Sequence, residues 1–104
     1  MSILDWFGIG PKKRAYISIQ WKAYDSGYHM HFERRARAFN LKGWMRVQRF
    51  PLYNVLEAEV ESTENNIQKF LEDIKSAPAT AMATGANVQW MTYKGSYQDF
   101  KVRI

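Results

Sequence analysis

The sequence predicts an α+β sandwich, in which one antiparallel sheet of four or five strands has two helices packed on one face. Several stretches alternate apolar and polar residues, which is the pattern of a half-buried strand. Two other stretches repeat apolar residues every three or four positions, as amphipathic helices do. The two patterns occur in the order β-α-β-β-α-β, and this order predicts layers of sheet and helix around one core.

The first strand and the first helix are separated by a short predicted loop. The strand is predicted over Ala15–Trp21, where apolar residues occupy every second position. A loop over Ala23–Gly27 follows, because Asp, Ser and Gly favour turns. The helix is predicted over Tyr28–Phe39, and Asn40 is its expected end because asparagine tolerates the left-handed conformation. The apolar residues at helical spacing are Tyr28, Phe32, Ala36 and Phe39.

A β-hairpin is predicted next, with strands over Trp44–Phe50 and Asn54–Glu61. Pro51 ends the first strand, and Leu52–Asn54 forms the turn. The second strand has the clearest alternation in the chain, with Leu, Ala and Val on one side and three glutamates on the other. One face of this hairpin is therefore expected to belong to the core.

The last part of the chain supplies a second helix and the remaining strands. Ser62 or Thr63 can cap the helix, whose apolar residues lie at i, i+3, i+4 and i+7. These apolar residues are Ile67, Phe70, Leu71 and Ile74. The small residues of Ala77–Ala86 are interpreted as a connection. A strand, a turn and a short final strand follow over Asn87–Tyr93, Lys94–Gln98 and Phe100–Ile104. The whole order is that of the ferredoxin-like arrangement.

One sheet face is expected to remain more open than the face that packs against the helices. The side chains predicted there are Tyr16, Ser18, Gln20, Gln89, Met91 and Tyr93.

Length and composition limit the possible functions. The 104 residues suffice for one domain, and 46% of them are hydrophobic, as in ordinary globular proteins. The chain has no cysteine, which excludes disulfides, thiolate metal sites and cysteine nucleophiles. No apolar run approaches the roughly 18 residues of a membrane span, and no basic leader precedes the apolar N-terminus. We expect a cytoplasmic monomer.

The N-terminal segment is interpreted as an extension over residues 1–12, which precedes the domain over residues 13–104. It is rich in large apolar side chains: Ile3, Leu4, Trp6, Phe7 and Ile9. These side chains can pack on their own domain, dock on a protein partner or associate with a membrane surface. The sequence leaves these three possibilities open.

Several motifs in order resemble the acylphosphatase family, small enzymes that hydrolyse carboxyl-phosphates. Arg34 and Arg35 form an arginine pair on the first helix, and Leu41–Val47 reads Leu-Lys-Gly-Trp-Met-Arg-Val. A Trp-bearing strand at Trp90 and the terminal Phe100–Ile104 complete the set. The resemblance covers roughly residues 13–104 and implies the ferredoxin-like fold.

The family's catalytic positions hold other residue types in this chain. Aligned on Trp44, the position of the family's catalytic arginine holds His29, and the position of its catalytic asparagine holds Val47. Valine cannot hydrogen-bond a water molecule through its side chain, and histidine lacks the two-pronged donor of arginine. The resemblance therefore implies an inactive member, a pseudoenzyme that acts as a binding or interaction module, and no residue is assigned a catalytic role.

The loop that would hold the phosphate also departs from the family's pattern. In the family this loop is rich in glycine, and its backbone N–H groups surround the anion. The equivalent residues here are Trp21, Lys22, Ala23, Tyr24, Asp25, Ser26, Gly27 and Tyr28. Trp21 and Asp25 occupy glycine positions, and Asp25 would place a carboxylate beside the phosphate. We expect the site to be rearranged or filled by Trp21, Tyr24 or Tyr28.

Two alternative functions remain open at this point. The first is a weak acylphosphatase, in which His29 and backbone N–H groups bind the phosphate. The second is non-specific nucleic-acid binding, since residues 1–50 carry ten basic and three acidic side chains, a net charge of +7. Three of these basic residues, Arg34, Arg35 and Arg37, lie on the first helix, and Lys42–Phe50 faintly resembles a strand of the RNA-recognition motif.

Metal and cofactor sites are not expected. His29 and His31 are two positions apart, so their side chains diverge on a helix. A zinc site needs three or four ligands, and the chain has neither a third histidine nor a cysteine.

Overall fold

The computed structural model describes residues 10–22, 27–76 and 83–103, in which the chain forms five strands and two helices. The strands are β1 (Lys12–Lys22), β2 (Lys42–Arg49), β3 (Tyr53–Thr63), β4 (Ala83–Met91) and β5 (Phe100–Arg103). The helices are α1 (Tyr28–Ala38) and α2 (Glu64–Ser76). The element order confirms the predicted β-α-β-β-α-β arrangement, with the last β unit split in two.

All five strands form one sheet, in the order β4-β1-β3-β2-β5. Three of the four neighbouring pairs are antiparallel, but β5 runs parallel to β2, with Gly43 opposite Phe100. The expectation of a wholly antiparallel sheet was therefore wrong for this edge. The chain leaves β4 at one edge, crosses the sheet through residues 92–99 and reverses direction. It therefore enters β5 in the same direction as β2.

The hydrophobic core lies between the sheet and the two helices. Phe32 of α1 meets Phe70 of α2 edge to face, with the ring centroids 5.2 Å apart. Strand residues such as Ile17 and Leu56 are fully buried on the same side. Each such side chain contributes about 1.5–3 kcal/mol when it is buried. The helical spacing and the strand alternation thus identified the packing faces correctly.

The strand boundaries differ from the predicted ones where backbone pairing extends a strand. β1 begins at Lys12, which pairs with Thr63 of the long strand β3. β4 begins at Ala83, so the interpretation of residues 83–86 as part of a connection was wrong. These small residues pair with the far end of β1, and pairing with a neighbour overrides the low strand propensity of Ala and Gly.

The predicted helix boundaries are supported by their local geometry. The hydroxyl of Thr63 accepts a hydrogen bond from the backbone N–H of Asn66 at 3.2 Å, so Thr63 caps α2. Asn40 has a positive φ of 55°, the left-handed conformation expected just beyond a helix end.

The connection over residues 92–99 lies across the sheet face opposite the helices. The Glu61 carboxylate accepts a hydrogen bond from the backbone N–H of Lys94 at 2.7 Å, and the Tyr97 hydroxyl donates a hydrogen bond to the Glu59 carboxylate at 2.7 Å. Arg14 also bonds Glu59 and donates to the Thr92 carbonyl. The expectation of an open face therefore applies only to the part that this connection leaves uncovered.

Candidate functional site

The predicted anion-binding region lies at one end of the sheet. The register places Trp21 at the end of β1 opposite Asn54 of β3, and Asn54 opposite Arg49 of β2. Helix α1 begins nearby at Tyr28. These elements therefore bring the C-terminal end of β1, the N-terminus of α1 and the β2–β3 hairpin to the same end of the sheet.

Two aromatic side chains occupy the interior at this end. Trp21 and Tyr28 are buried, and their ring centroids are 5.3 Å apart in a tilted arrangement. Burial raises the pKa of Tyr28 to about 12, because the phenolate would lose its hydration. Lys22 and Gly27, which flank the loop, are exposed. The other predicted loop residues, Ala23, Tyr24, Asp25 and Ser26, lie outside the described residues.

The two histidines of α1 have ring nitrogens without hydrogen-bond partners. These nitrogens are Nδ1 of His29 and Nε2 of His31, and both are buried from solvent. The first turn of α1 contains no acidic residue. In residues 10–22, 27–76 and 83–103, no cluster of three or more His, Asp or Glu side chains is arranged to hold a metal ion.

Val47 provides an apolar surface beside this end of the sheet. It lies on the helix side of β2, opposite Leu56, and packs half-buried against the core. A valine side chain neither donates nor accepts hydrogen bonds. At this position the strand therefore presents no side-chain group that could orient a water molecule.

The structure adds two polar residues that sequence reasoning missed. Asn54 is only 1% exposed, and its side-chain oxygen accepts a hydrogen bond from the Arg49 guanidinium at 3.5 Å. Arg49 itself is exposed. We placed Asn54 where the predicted turn meets the second strand and gave its side chain no role, although it falls in the alternation that places Leu56, Ala58 and Val60 inward. That alternation could have identified it as a buried amide.

The arginines of α1 are mostly engaged in ion pairs within the domain. Arg35 bonds the Asp73 carboxylate of α2, and Arg37 bonds Glu33 one turn away at 3.0 Å. Arg34 is exposed. The first of these pairs links the two helices, so the basic character of α1 in the sequence is partly neutralised in the fold.

A ferredoxin-like α+β sandwich, with an aromatic pair and a helix N-terminus at one sheet end, defines a class of small βαββαβ domains. The acylphosphatase family model matches residues 24–102, and the chain therefore belongs to the acylphosphatase family. This membership confirms the resemblance seen in the sequence motifs.

Curated relatives support the same membership. The chain is 29% identical over 89 residues to an acylphosphatase of Pyrobaculum aerophilum, a match that covers 86% of this chain and 92% of the relative. It is 24% identical over 94 residues to an acylphosphatase of Salinibacter ruber, covering 90% of this chain and 96% of the relative.

Solved structures show the same fold. An acylphosphatase from Bacillus subtilis superposes with a TM-score of 0.74 at 18% identity, over 88% of this chain and 99% of the other. Full-length HypF in its phosphate- and nucleotide-bound form superposes with a TM-score of 0.71 at 24% identity. This second match covers 89% of this chain but 12% of HypF, so the fold also occurs as a small part of a larger protein.

Of the two described helices, neither is long and apolar enough to cross a membrane. The apolar residues Ile3, Leu4, Trp6 and Phe7, for which packing on the domain, partner docking and membrane association were left open, lie outside the described residues.

Proposed function

We propose that this chain is a cytoplasmic acylphosphatase-family domain that does not hydrolyse carboxyl-phosphates and acts as a binding or interaction module. The observation that supports this proposal is Val47, which packs its hydrocarbon side chain against the core at the position matching the family's catalytic asparagine. Val47 itself offers an attacking water no hydrogen-bonding group that could orient it. Orienting the reactants makes a large contribution to enzymatic rates.

The position that matches the family's catalytic arginine supports the same proposal. It holds His29, whose Nδ1 is buried and unpartnered. An arginine would present several N–H donors in a rigid planar arrangement, and two of these donors can hydrogen-bond two oxygens of one phosphate. A single imidazole cannot reproduce that geometry.

A weak acylphosphatase is the second candidate, and the Arg49–Asn54 pair favours it. These residues provide a guanidinium and an amide at the same end of the sheet as the N-terminus of α1, although neither occupies a position that matches the family's catalytic arginine or asparagine. An exposed arginine near a helix N-terminus could attract a phosphate.

An assay of acetyl phosphate hydrolysis distinguishes the two candidates. We expect the purified protein to hydrolyse acetyl phosphate no faster than buffer, and His29→Ala to be indistinguishable from the wild type. Hydrolysis above the buffer rate that is abolished in Arg49→Gln, but retained in Arg34→Gln, would instead support the weak enzyme. Arg34 is a matched control because it is also an exposed arginine, but lies on α1.

A double variant tests whether the loop prevents activity even when both catalytic positions carry the family's residues. We expect His29→Arg combined with Val47→Asn to remain inactive, because Trp21 still occupies a glycine position and is fully buried. Activity gained by this variant would show that the two substitutions alone account for the inactivity.

A further inference from the structure

A row of basic and aromatic side chains runs along one edge of the sheet, on the face opposite the helices. On β2 the alternation places Trp44, Arg46 and Gln48 on this face, and Phe50 continues the row. On β5, Lys101 lies opposite Trp44, and Arg103 lies opposite Arg46. We call these residues the β2–β5 strip: Trp44, Arg46, Gln48, Phe50, Lys101 and Arg103.

The cations of the strip on β5 are available to a ligand. Lys101 and Arg103 are exposed, and neither forms an ion pair with a carboxylate in the described part of the chain. They line a cleft of about 260 Å³ whose other walls include Trp44 and Tyr97. Asp99 also lines this cleft and is the one acidic side chain there. The cleft therefore has a net positive lining.

Aromatic rings lie at both ends of the strip. The Arg103 guanidinium lies over the Trp44 indole, 4.6 Å from the ring centroid. At the other end, Phe50 stacks on Tyr53 with a centroid distance of 4.9 Å, and Phe50 is 41% exposed. Phe50 lies six positions after Trp44, which corresponds to about 20 Å along a strand. Planar groups can thus stack at two separated points.

The rest of this face is less suited to an anionic ligand. Glu57, Glu59 and Glu61 lie along β3, in the middle of the sheet. Glu57 is bonded by Tyr16 and Arg46, so Arg46 is largely neutralised. Two of the three arginines on α1 are also paired. Uncompensated positive charge beside the half-buried Trp44 and the exposed Phe50 therefore distinguishes the β2–β5 edge.

We propose that the β2–β5 strip binds single-stranded nucleic acid. Lys101 and Arg103 contact phosphates, while bases stack on Trp44 with its covering guanidinium and on Phe50. Stacking platforms beside a basic groove are the usual means of binding single strands without sequence preference. This surface is separate from the N-terminus of α1, so the proposal holds whether or not that region hydrolyses carboxyl-phosphates.

Titration of a fluorescein-labelled oligo(dT) at several salt concentrations tests the phosphate contacts. We expect saturable binding that weakens steeply with salt. The double variant Lys101→Gln, Arg103→Gln should reduce the slope of log K against log[salt] by about 1.4, because each lost contact to a single strand contributes about 0.7. The matched control, Lys13→Gln with Arg34→Gln, removes the same charge from exposed positions elsewhere and should leave the slope unchanged.

Variants of the hairpin test stacking. Phe50→Leu keeps an apolar side chain but removes the ring, and it should weaken binding at least about fivefold. Leu52→Ala changes an 83% exposed residue of the same hairpin that carries no ring, and it should have no effect. Trp44→Phe should retain most of the affinity because it preserves an aromatic face.

Four results would overturn the proposal. The first is the absence of saturable binding at low salt. The second is equal affinity of the wild type and the Lys101→Gln, Arg103→Gln variant. The third is equal affinity for a blunt duplex, whose bases cannot stack on the strip. The fourth is competition by poly-glutamate as effective as that by unlabelled oligo(dT), which would identify a site for acidic polypeptides instead. Circular dichroism of each variant confirms that it is folded.

Discussion

Replacing Gly43 by alanine should strongly destabilise the domain. Gly43 has a φ of +145°, a conformation that side chains with a Cβ rarely adopt. A Cβ built at this position would lie 1.8 Å from the Glu59 carbonyl oxygen and 3.1 Å from the Val60 Cα. Both obstacles are backbone atoms of the neighbouring strand β3, so no side chain can rotate away to relieve the clash.

The magnitude follows from two contributions. A residue held in this backbone region costs about 1–3 kcal/mol, and inserting a methyl group into a packed site costs about 1–3 kcal/mol more. A carbon and an oxygen in contact lie about 3.3–3.6 Å apart, so β2 and β3 would have to separate by about 1.5 Å around Gly43. We therefore expect a loss of about 4 kcal/mol from a stability that is typically 5–15 kcal/mol.

Urea denaturation measures this loss. With a slope of about 1.5 kcal/mol per molar urea, the midpoint of Gly43→Ala should fall by about 2–3 M. Gly95→Ala is the matched control, because Gly95 also has a positive φ, +70°, but the three atoms nearest to its added Cβ all belong to the Tyr93 side chain, at 3.2–3.3 Å. We expect the control to lose about 1–2 kcal/mol. Equal midpoints for the two variants would refute the steric reasoning.

Three further predictions concern titration and capping. Burial raises the pKa of Tyr28 to about 12, so the contribution of the neutral phenol to stability is complete below pH 10 and is lost as the pH rises towards 12. Over this pH range, the free energy of unfolding of Tyr28→Phe should therefore fall less than that of the wild type. The hydrogen bond from Tyr16, followed by Arg46, lowers the pKa of Glu57 below its ordinary value of 4.5, so its contribution is present above pH 4.5 and is lost on acidification. Acid titration monitored by circular dichroism should therefore show a smaller loss of stability in Tyr16→Phe, and an unchanged acid limb would contradict this assignment. Thr63→Ala should cost about 1 kcal/mol in urea denaturation, whereas Thr63→Ser should keep the cap and most of the stability.

The sequence by itself determined the element types and the packing faces. The helical spacing of Ile67, Phe70 and Ile74 and the alternation along β3 show which side of each element is buried. Such patterns can be found from the sequence because residues near one another in the chain form them. The motif around Gly43 also identified the family, and the structure gives a physical reason for the glycine, since a Cβ would collide with β3. The assignment of His29 and Val47 to catalytic positions stays a prediction.

Only the tertiary structure decided which distant side chains meet. Arg35 of α1 is neutralised by Asp73 of α2, 38 residues further along the chain. No local pattern records this contact, because it depends on how the two helices pack beside one another on the sheet.

The structure likewise decided the edges of the sheet. The parallel pairing of β5 with β2 follows from the path of residues 92–99, which Glu59 and Glu61 hold against the sheet. That pairing places Lys101 beside Trp44 and creates the β2–β5 strip. Lys101 and Trp44 are 57 positions apart in the sequence, and only backbone hydrogen bonds between distant strands bring them together. The pairing depends on the fold, because a strand pairs with whichever free edge the fold presents.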